Sequence, residues 1–250
     1  MALGLKLVGL LLIFATIVRA LPSGRVVGGK DAEVGQFPHQ VSLQRSDGLP
    51  ICGASIVNER FVLTAAHCVV DKNTTVAHPP ESFRIRVGSI YRGTGKIFYV
   101  TRVIVHENYG NFLNDIALLK LLDPLPWSNN VKPIELADSE VPAGEDVIIS
   151  GWGRLSTDGP SSEILQWNTL KALTTKECRQ TIDFTDGSLI CLAHTENNGA
   201  CNGDSGGPAI YQGKLVGVAG FVVGGCGTKN PDGYAKVFYH KEWILKNSSE

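Results

Sequence analysis

Gly203-Asp204-Ser205-Gly206-Gly207-Pro208, with Leu215-Val216-Gly217-Val218 soon after it, is the stretch on which the fold turns. Residues 203–207 match G-x-S-x-G, which in chains of alternating β and α elements holds a serine on a sharp strand-to-helix elbow. There an acid and a histidine follow the serine, and Asp232 and His240 do follow Ser205. The context is wrong for an elbow. Pro208 and a further β-like run come next, and only 45 residues remain after Ser205. The serine therefore reads as part of a loop in a β chain.

The flanking sequence agrees. Phe61-Val62-Leu63, Phe98-Tyr99-Val100 and Val147-Ile148-Ile149 are short runs set off by Gly, Pro, Asn and Asp. Many short strands with regular turn signals predict an all-β barrel or sandwich. One long helix is expected, from near Tyr239 to Asn247, with Tyr239 over Trp243 and His240 over Ile244. Pro124, Pro126 and Pro133 mark Leu122 to Pro133 as a link between two β halves. The chain has 250 residues, 43% hydrophobic and 19% charged, with a net charge of −1. That supports a substantial core and excludes disorder. No excess of Lys or Arg points to a nucleic-acid partner.

Residues 1–20 read MALGLKLVGLLLIFATIVRA. Lys6 is the positive start, Leu7 to Val18 the apolar run, and Val18-Arg19-Ala20 a small-residue cleavage pattern. This predicts a secretory signal peptide. A membrane anchor is the alternative, but the apolar run falls short of the ~20 residues a spanning helix needs. A secreted, extracellular protein with no membrane partner is expected. Six cysteines then suit three disulfides, although spacing alone does not choose the pairing. Asn73-Thr74-Thr75 and Asn247-Ser248-Ser249 match the N-glycosylation pattern. Asn73, in a polar stretch, is favoured.

Three segments carry chemistry. Thr64-Ala65-Ala66-His67-Cys68 follows a strand-like run, Asp115 heads the apolar Ile116-Ala117-Leu118-Leu119, and Ser205 lies among glycines. A serine hydroxyl needs a base to take its proton, and the base needs an acid to fix its tautomer. His67, Asp115 and Ser205 can fill those roles. Each segment alone has a plainer reading: a structural histidine, a strand-end acid, a glycine turn.

Together they resemble a known family. Arg25-Val26-Val27-Gly28-Gly29, TAAHC at 64–68, DIAL at 115–118, GWG at 151–153 and GDSGGP at 203–208 occur in the order found in trypsin/chymotrypsin-like serine proteases. The likeness runs from Val26 to the C-terminal helix. It implies two antiparallel six-stranded β-barrels, roughly 26–130 and 131–250 within a peptidase domain of 26–250, with the active site in the cleft. Ser205 would attack the scissile carbonyl, His67 would accept and return the proton, and Asp115 would orient His67. The N–H groups of Gly203 and Ser205 would form the oxyanion hole. The implied disulfides are Cys52–Cys68, Cys178–Cys191 and Cys201–Cys226. Residues 21–25 would be a propeptide, cleaved after Arg25 by another protease, so that the new Val26 ammonium pairs with Asp204. Protein or peptide substrates, protein inhibitors and a monomeric state are implied, and no cofactor.

The pocket departs from the trypsin pattern. Gly199, followed by Ala200, stands where trypsins carry an acid for basic side chains. Gly220-Phe221-Val222 replaces Ser-Trp-Gly, and Gly225 is the further pocket residue implied. Val222 should narrow the pocket, as in elastases. Asp232 aligns opposite Gly199, where it could pair with a basic side chain. It is equally a turn residue in Asn230-Pro231-Asp232-Gly233. The preference expected is broad or elastase/chymotrypsin-like, with basic cleavage second. Gly220 also removes a hydroxyl that usually bonds the triad acid, which keeps a non-catalytic binding or regulatory homologue as the competing reading. No metal is expected: Val87 to Arg102, the calcium-loop region of some relatives, contains no acid.

Overall fold

The computed structural model describes residues 26–71, 74–110, 112–182 and 187–249. The expected signal peptide, Arg25 and Asn73 lie outside these residues. After a short strand β1 (Lys30–Asp31), six strands close a barrel: β2 (Gln40–Arg45), β3 (Pro50–Ile56), β4 (Phe61–Thr64), β5 (Phe83–Val87), β6 (Lys96–Val105) and β7 (Ala117–Leu121). Their order around it is β2-β3-β4-β7-β6-β5. β5 shows why: Phe83, Ile85 and Val87 fill the barrel, while Arg84 and Arg86 face outward to Gln44. That is the period-2 alternation of a strand with one buried face.

β4 and β7 are buried on both faces. Val62 and Leu119 pack inside the barrel, and Phe61, Leu63 and Leu118 pack outside it against Ile210, Leu215 and Val218. Double burial explains why Phe61-Val62-Leu63 is an unbroken apolar run. Each such side chain contributes about 1.5–3 kcal/mol on burial, so this cluster is what clamps the two halves together.

The second half adds β8 (Glu135–Leu136), β9 (Asp146–Gly151), β10 (Gln166–Ala172), β11 (Leu189–Ala193), β12 (Pro208–Tyr211), β13 (Lys214–Phe221) and β14 (Asp232–Lys236). The ring β9-β10-β11-β14-β13-β12 closes on itself and is antiparallel throughout. β8 joins β13 in parallel. The fold is thus two closed six-stranded antiparallel barrels, connected by Leu122 to Pro133. The halves expected at 26–130 and 131–250 differ at one end. β1 pairs with β10, Lys30 opposite Trp167, and Val26 is fully buried in the second barrel's core. The chain's first apolar residues find a core only in the distant half.

Two α-helices occur among the described residues, α1 (Thr175–Thr181) and the C-terminal α2 (Val237–Asn247). α2 buries Val237, His240 and Ile244 and leaves Tyr239 exposed, while Trp243 packs partly buried against the same core cluster. α1 was not anticipated. Its signal is a capping box: Glu177 N–H donates to Thr174 Oγ1 at 3.0 Å, and Thr174 N–H donates to Glu177 Oε2 at 2.8 Å. No described helix is long and apolar enough to cross a membrane.

Candidate active site

β4 delivers His67. After Thr64 the chain turns through one 3₁₀ turn, Ala66–Cys68. Ala65 and Ala66 are fully buried, which leaves no room for longer side chains. Cys68 is disulfide-bonded to Cys52 of β3, which pins the turn to the barrel wall. Asp115 arrives just before β7, after Asn114 at φ +50°, a region that asparagine tolerates. His67 N–H donates to Asp115 Oδ1 at 2.9 Å, and His67 Nδ1 lies 2.7 Å from Asp115 Oδ2. A carboxylate only accepts, so Nδ1 carries a proton, which in the neutral imidazole makes Nε2 the acceptor. The Tyr109 phenol nearby is pushed up to about 12 by burial and then by the Asp115 charge.

Ser205 comes from the loop before β12. Its carbonyl accepts Gly53 N–H from the first barrel at 2.7 Å, and Gly206 N–H donates to Ala219 O at 2.7 Å. The glycines are needed for closeness. Gly206 has φ +77°, and a Cβ there would fall 2.2 Å from Thr64 Oγ1 and 2.4 Å from Gly53 O. Gly203 has φ +100°, with its Cβ position 3.2 Å from the Gly153 Cα. Asp204 turns inward from the same loop. It accepts N–H bonds from Gly153 at 2.7 Å and Cys201 at 2.9 Å, and burial raises its pKa to about 7. Its carboxyl lies against Gly151 and Gly153, where any Cβ would collide with it. This is the physical content of GWG; Trp152 between them donates Nε1–H to Ile90 O at 2.8 Å.

His67 and Ser205 border one cavity of about 520 Å³, together with Ala200, Gly220, Phe221 and Val222. Phe221 lies over Gly233, where a Cβ would stand 2.5 Å from its ring, and meets Phe112 at 5.3 Å between centroids. Tyr109 and Phe112 complete this wall, and neither carries a motif that would announce it. A Cβ on Gly220 would sit 3.6 Å from Asp115 Oδ2. Gly199 and Gly225 are not on the cavity surface. The disulfides Cys178–Cys191 and Cys201–Cys226 brace α1 against β11 and the Ser205 loop against the segment after Val222. Cys52, His67 and Cys68 come close together, but both sulfurs are committed to the disulfide and offer no thiolate to a metal.

Asp232 lies opposite Gly199, its Oδ2 2.7 Å from that glycine's Cβ position, but in a different setting from either one expected. It is not a turn residue: it opens β14, opposite Leu192 of β11. Nor does it line the cavity. It is 2% exposed, its Oδ2 accepts the Ala200 N–H at 2.7 Å, and its Oδ1 lies 3.3 Å from His194 Nε2. His194 was missed, because a lone histidine after a strand carries no sequence signal.

Residues 26–244 match the family model described as Trypsin. Serine protease SP24D of Anopheles gambiae is 49% identical over 220 residues, 88% of this chain and 80% of that protein. Trypsin-1 of Astacus astacus is 37% identical, with 89% of this chain and all of that protein covered. Chymotrypsin-2 of Vespa crabro is 33% identical over 89% of this chain and 99% of its own. Among solved structures, neuropsin, a serine protease expressed in the limbic system of mouse brain, superposes with a TM-score of 0.79 at 28% identity, over 88% of this chain and 98% of that one. A match over nearly the whole described chain, on a fold of two closed barrels, gives a single conclusion: the chain belongs to the trypsin family and is a serine endopeptidase.

Proposed function

We propose that this protein is a secreted endopeptidase, made as a precursor, that hydrolyses peptide bonds through Ser205, His67 and Asp115. The observation that carries the reading is the 2.7 Å contact between His67 Nδ1 and Asp115 Oδ2, beside the cavity that Ser205 shares. Asp115 fixes the tautomer in which Nε2 can take the Ser205 proton as Oγ attacks the carbonyl. The protonated ring then gives that proton to the leaving amine, and water reverses the sequence to release the acyl group. The N–H groups of Gly203 and Ser205 are assigned to the oxyanion, on a loop where glycine leaves the approach open.

Activation is assigned to cleavage after Arg25 by another protease. Val26 is already fully buried in the barrel that buries Asp204. A free Val26 ammonium there would supply the cation that an acid at a pKa of about 7 lacks. Secretion is supported by the 1–20 leader and by three disulfides. Asn73 is the proposed glycan site. The substrate preference proposed is broad or elastase/chymotrypsin-like: Val222 and Ala200 line the cavity with apolar side chains, and the one acid among its described lining residues, Asp71, comes from the segment after His67. The protein is proposed to act as a monomer on proteins and peptides, with protein inhibitors as partners.

Fluorophosphonate labelling tests the centre. Protein cleaved after Arg25 should label at Ser205, and the Arg25→Gln precursor should resist trypsin and stay unlabelled. Equal labelling of the uncleaved variant would refute the precursor reading, and no labelling of either would refute the catalytic one.

A further inference from the structure

We infer that His194 sets the substrate preference of this peptidase: it holds the buried Asp232 carboxylate in a neutral pair beneath the cavity and so denies the pocket to basic side chains. The inference rests on the peptidase reading above. The register of β11 on β14 places Leu192 opposite Asp232, and His194 follows two residues later, diagonal to the acid. Both side chains are sealed in, 2% and 3% exposed.

The proton count follows from the partners. His194 Nδ1 lies 3.0 Å from Thr195 O, which can only accept, so Nδ1 bears a hydrogen. Nε2 lies 3.3 Å from Asp232 Oδ1, within ion-pair range but not aligned as a hydrogen bond. A lone pair facing a buried carboxylate at that distance is repulsive. Nε2 and Oδ1 therefore hold one more proton between them. Whether the pair is imidazolium with carboxylate or imidazole with carboxylic acid, its net charge is zero.

Two neighbours show the consequence. Ala200 borders the cavity, and its N–H holds Asp232 Oδ2 behind it. Gly199 has no room for a side chain: a Cβ would stand 2.6 Å from His194 Nε2 and 2.7 Å from Asp232 Oδ2. An acid at 199, the trypsin solution, is sterically excluded while the pair stands. A lysine or arginine side chain entering here would lose its water without meeting a net negative charge, an unfavourable transfer.

The pair has a pH limit. Burial alone would lower the His194 pKa, but the pull of the Asp232 carboxylate and the Thr195 carbonyl outweighs it, so the pKa is raised. Asp232 is raised by burial, against the opposing pull of His194 and the Ala200 N–H. Asp204 and the Tyr234 phenol also face Asp232 electrostatically, and the Val26 ammonium would join them after cleavage. As pH climbs past the raised His194 value, the shared proton leaves and the floor becomes negative.

The test uses activated enzyme and two peptides that differ only in arginine or leucine before the cleaved bond. Their kcat/KM ratio cancels the titration of His67. In the wild type the arginine/leucine ratio should rise about tenfold from pH 7 to 9, as a charge appears. His194→Ala leaves the carboxyl to titrate alone with water in the vacated ring space, so the rise should begin at lower pH and the ratio at pH 7 should be several-fold above the wild type; His194→Ala with Asp232→Asn should lose the rise at both pH values. A His194→Ala enzyme that cleaves the leucine peptide with an unchanged ratio overturns the inference. If that variant does not fold, a flat wild-type profile overturns it equally. Wild-type enzyme that cleaves neither peptide overturns the peptidase reading instead.

Discussion

Among the described residues, the pairs His67–Asp115 and His194–Asp232 use the same groups in opposite ways. In His67–Asp115 the acid meets Nδ1, and the ring side chain is 29% exposed at the cavity edge. In His194–Asp232 a backbone carbonyl takes Nδ1, the acid faces Nε2, and the ring is 2% exposed. The first arrangement leaves a nitrogen free to exchange protons with a substrate. The second turns its remaining nitrogen inward, so it can hold a charge but not deliver a proton. The pairing of residue types therefore says little about function; which nitrogen faces the acid, and which faces the cavity, says most of it.

The largest effect that would break this contrast is on rate. Asp115→Asn presents an amide that stabilises the wrong His67 tautomer; in triads of this family that change lowers kcat by about 10⁴-fold. Turnover of a chromogenic peptide measures it, and a loss under tenfold would mean that the first pair is not used as described. A third buried acid shows what happens with no imidazole beside it. Asp204 stands at about 7 in the folded state, against an unfolded value near 4. Its folded pKa is raised, so the folded state binds the proton more tightly. Precursor stability from this group is then fully present below about pH 4, falls by up to about 4 kcal/mol as pH rises to 7, and levels off above. Urea unfolding of the Arg25→Gln precursor should show this slope, and Asp204→Asn should flatten it.

The second pair should matter to stability where the first matters to rate. Asp232→Ala strands a buried imidazole and an unpaired Ala200 N–H, at a cost of about 3 kcal/mol. A urea midpoint unchanged by that substitution would contradict the buried pair. The smallest effect concerns Gly220. A serine hydroxyl there would extend from a Cβ 3.6 Å from Asp115 Oδ2 and could donate to it, although Gly233 O at 3.1 Å makes the fit tight. One added hydrogen bond to a charged acceptor is worth about 1.5–3 kcal/mol, less where the fit is tight, and Gly220→Ser should raise kcat several-fold. No gain would show that Asp115 is already held by its two bonds from His67.

Much of the fold was legible in the apolar runs. Phe61-Val62-Leu63, Phe98-Tyr99-Val100, Val147-Ile148-Ile149 and Leu215-Val216-Gly217-Val218 all lie in strands, because short β-branched and aromatic runs between turn residues have few other stable uses. α1 was hidden: seven residues with one buried side chain, Cys178, carry no apolar period, and only Thr174 and Glu177 mark its start. The crossing of β1 to β10 was equally hidden, since two residues paired with a strand far along the chain leave no local trace.

His67, Asp115 and Ser205 could be nominated from sequence because their chemistry restricts residue type, and the glycines around Ser205 because close packing forbids a Cβ. Asp232 could be named but not placed. Its character depends on a partner that only the β11–β14 register brings to it, and on a burial that only the closed barrel supplies. Sequence alone thus determined which groups could react. Tertiary structure decided which of two like pairs meets solvent and which is sealed, because desolvation and proton sharing are set by neighbours in space rather than along the chain.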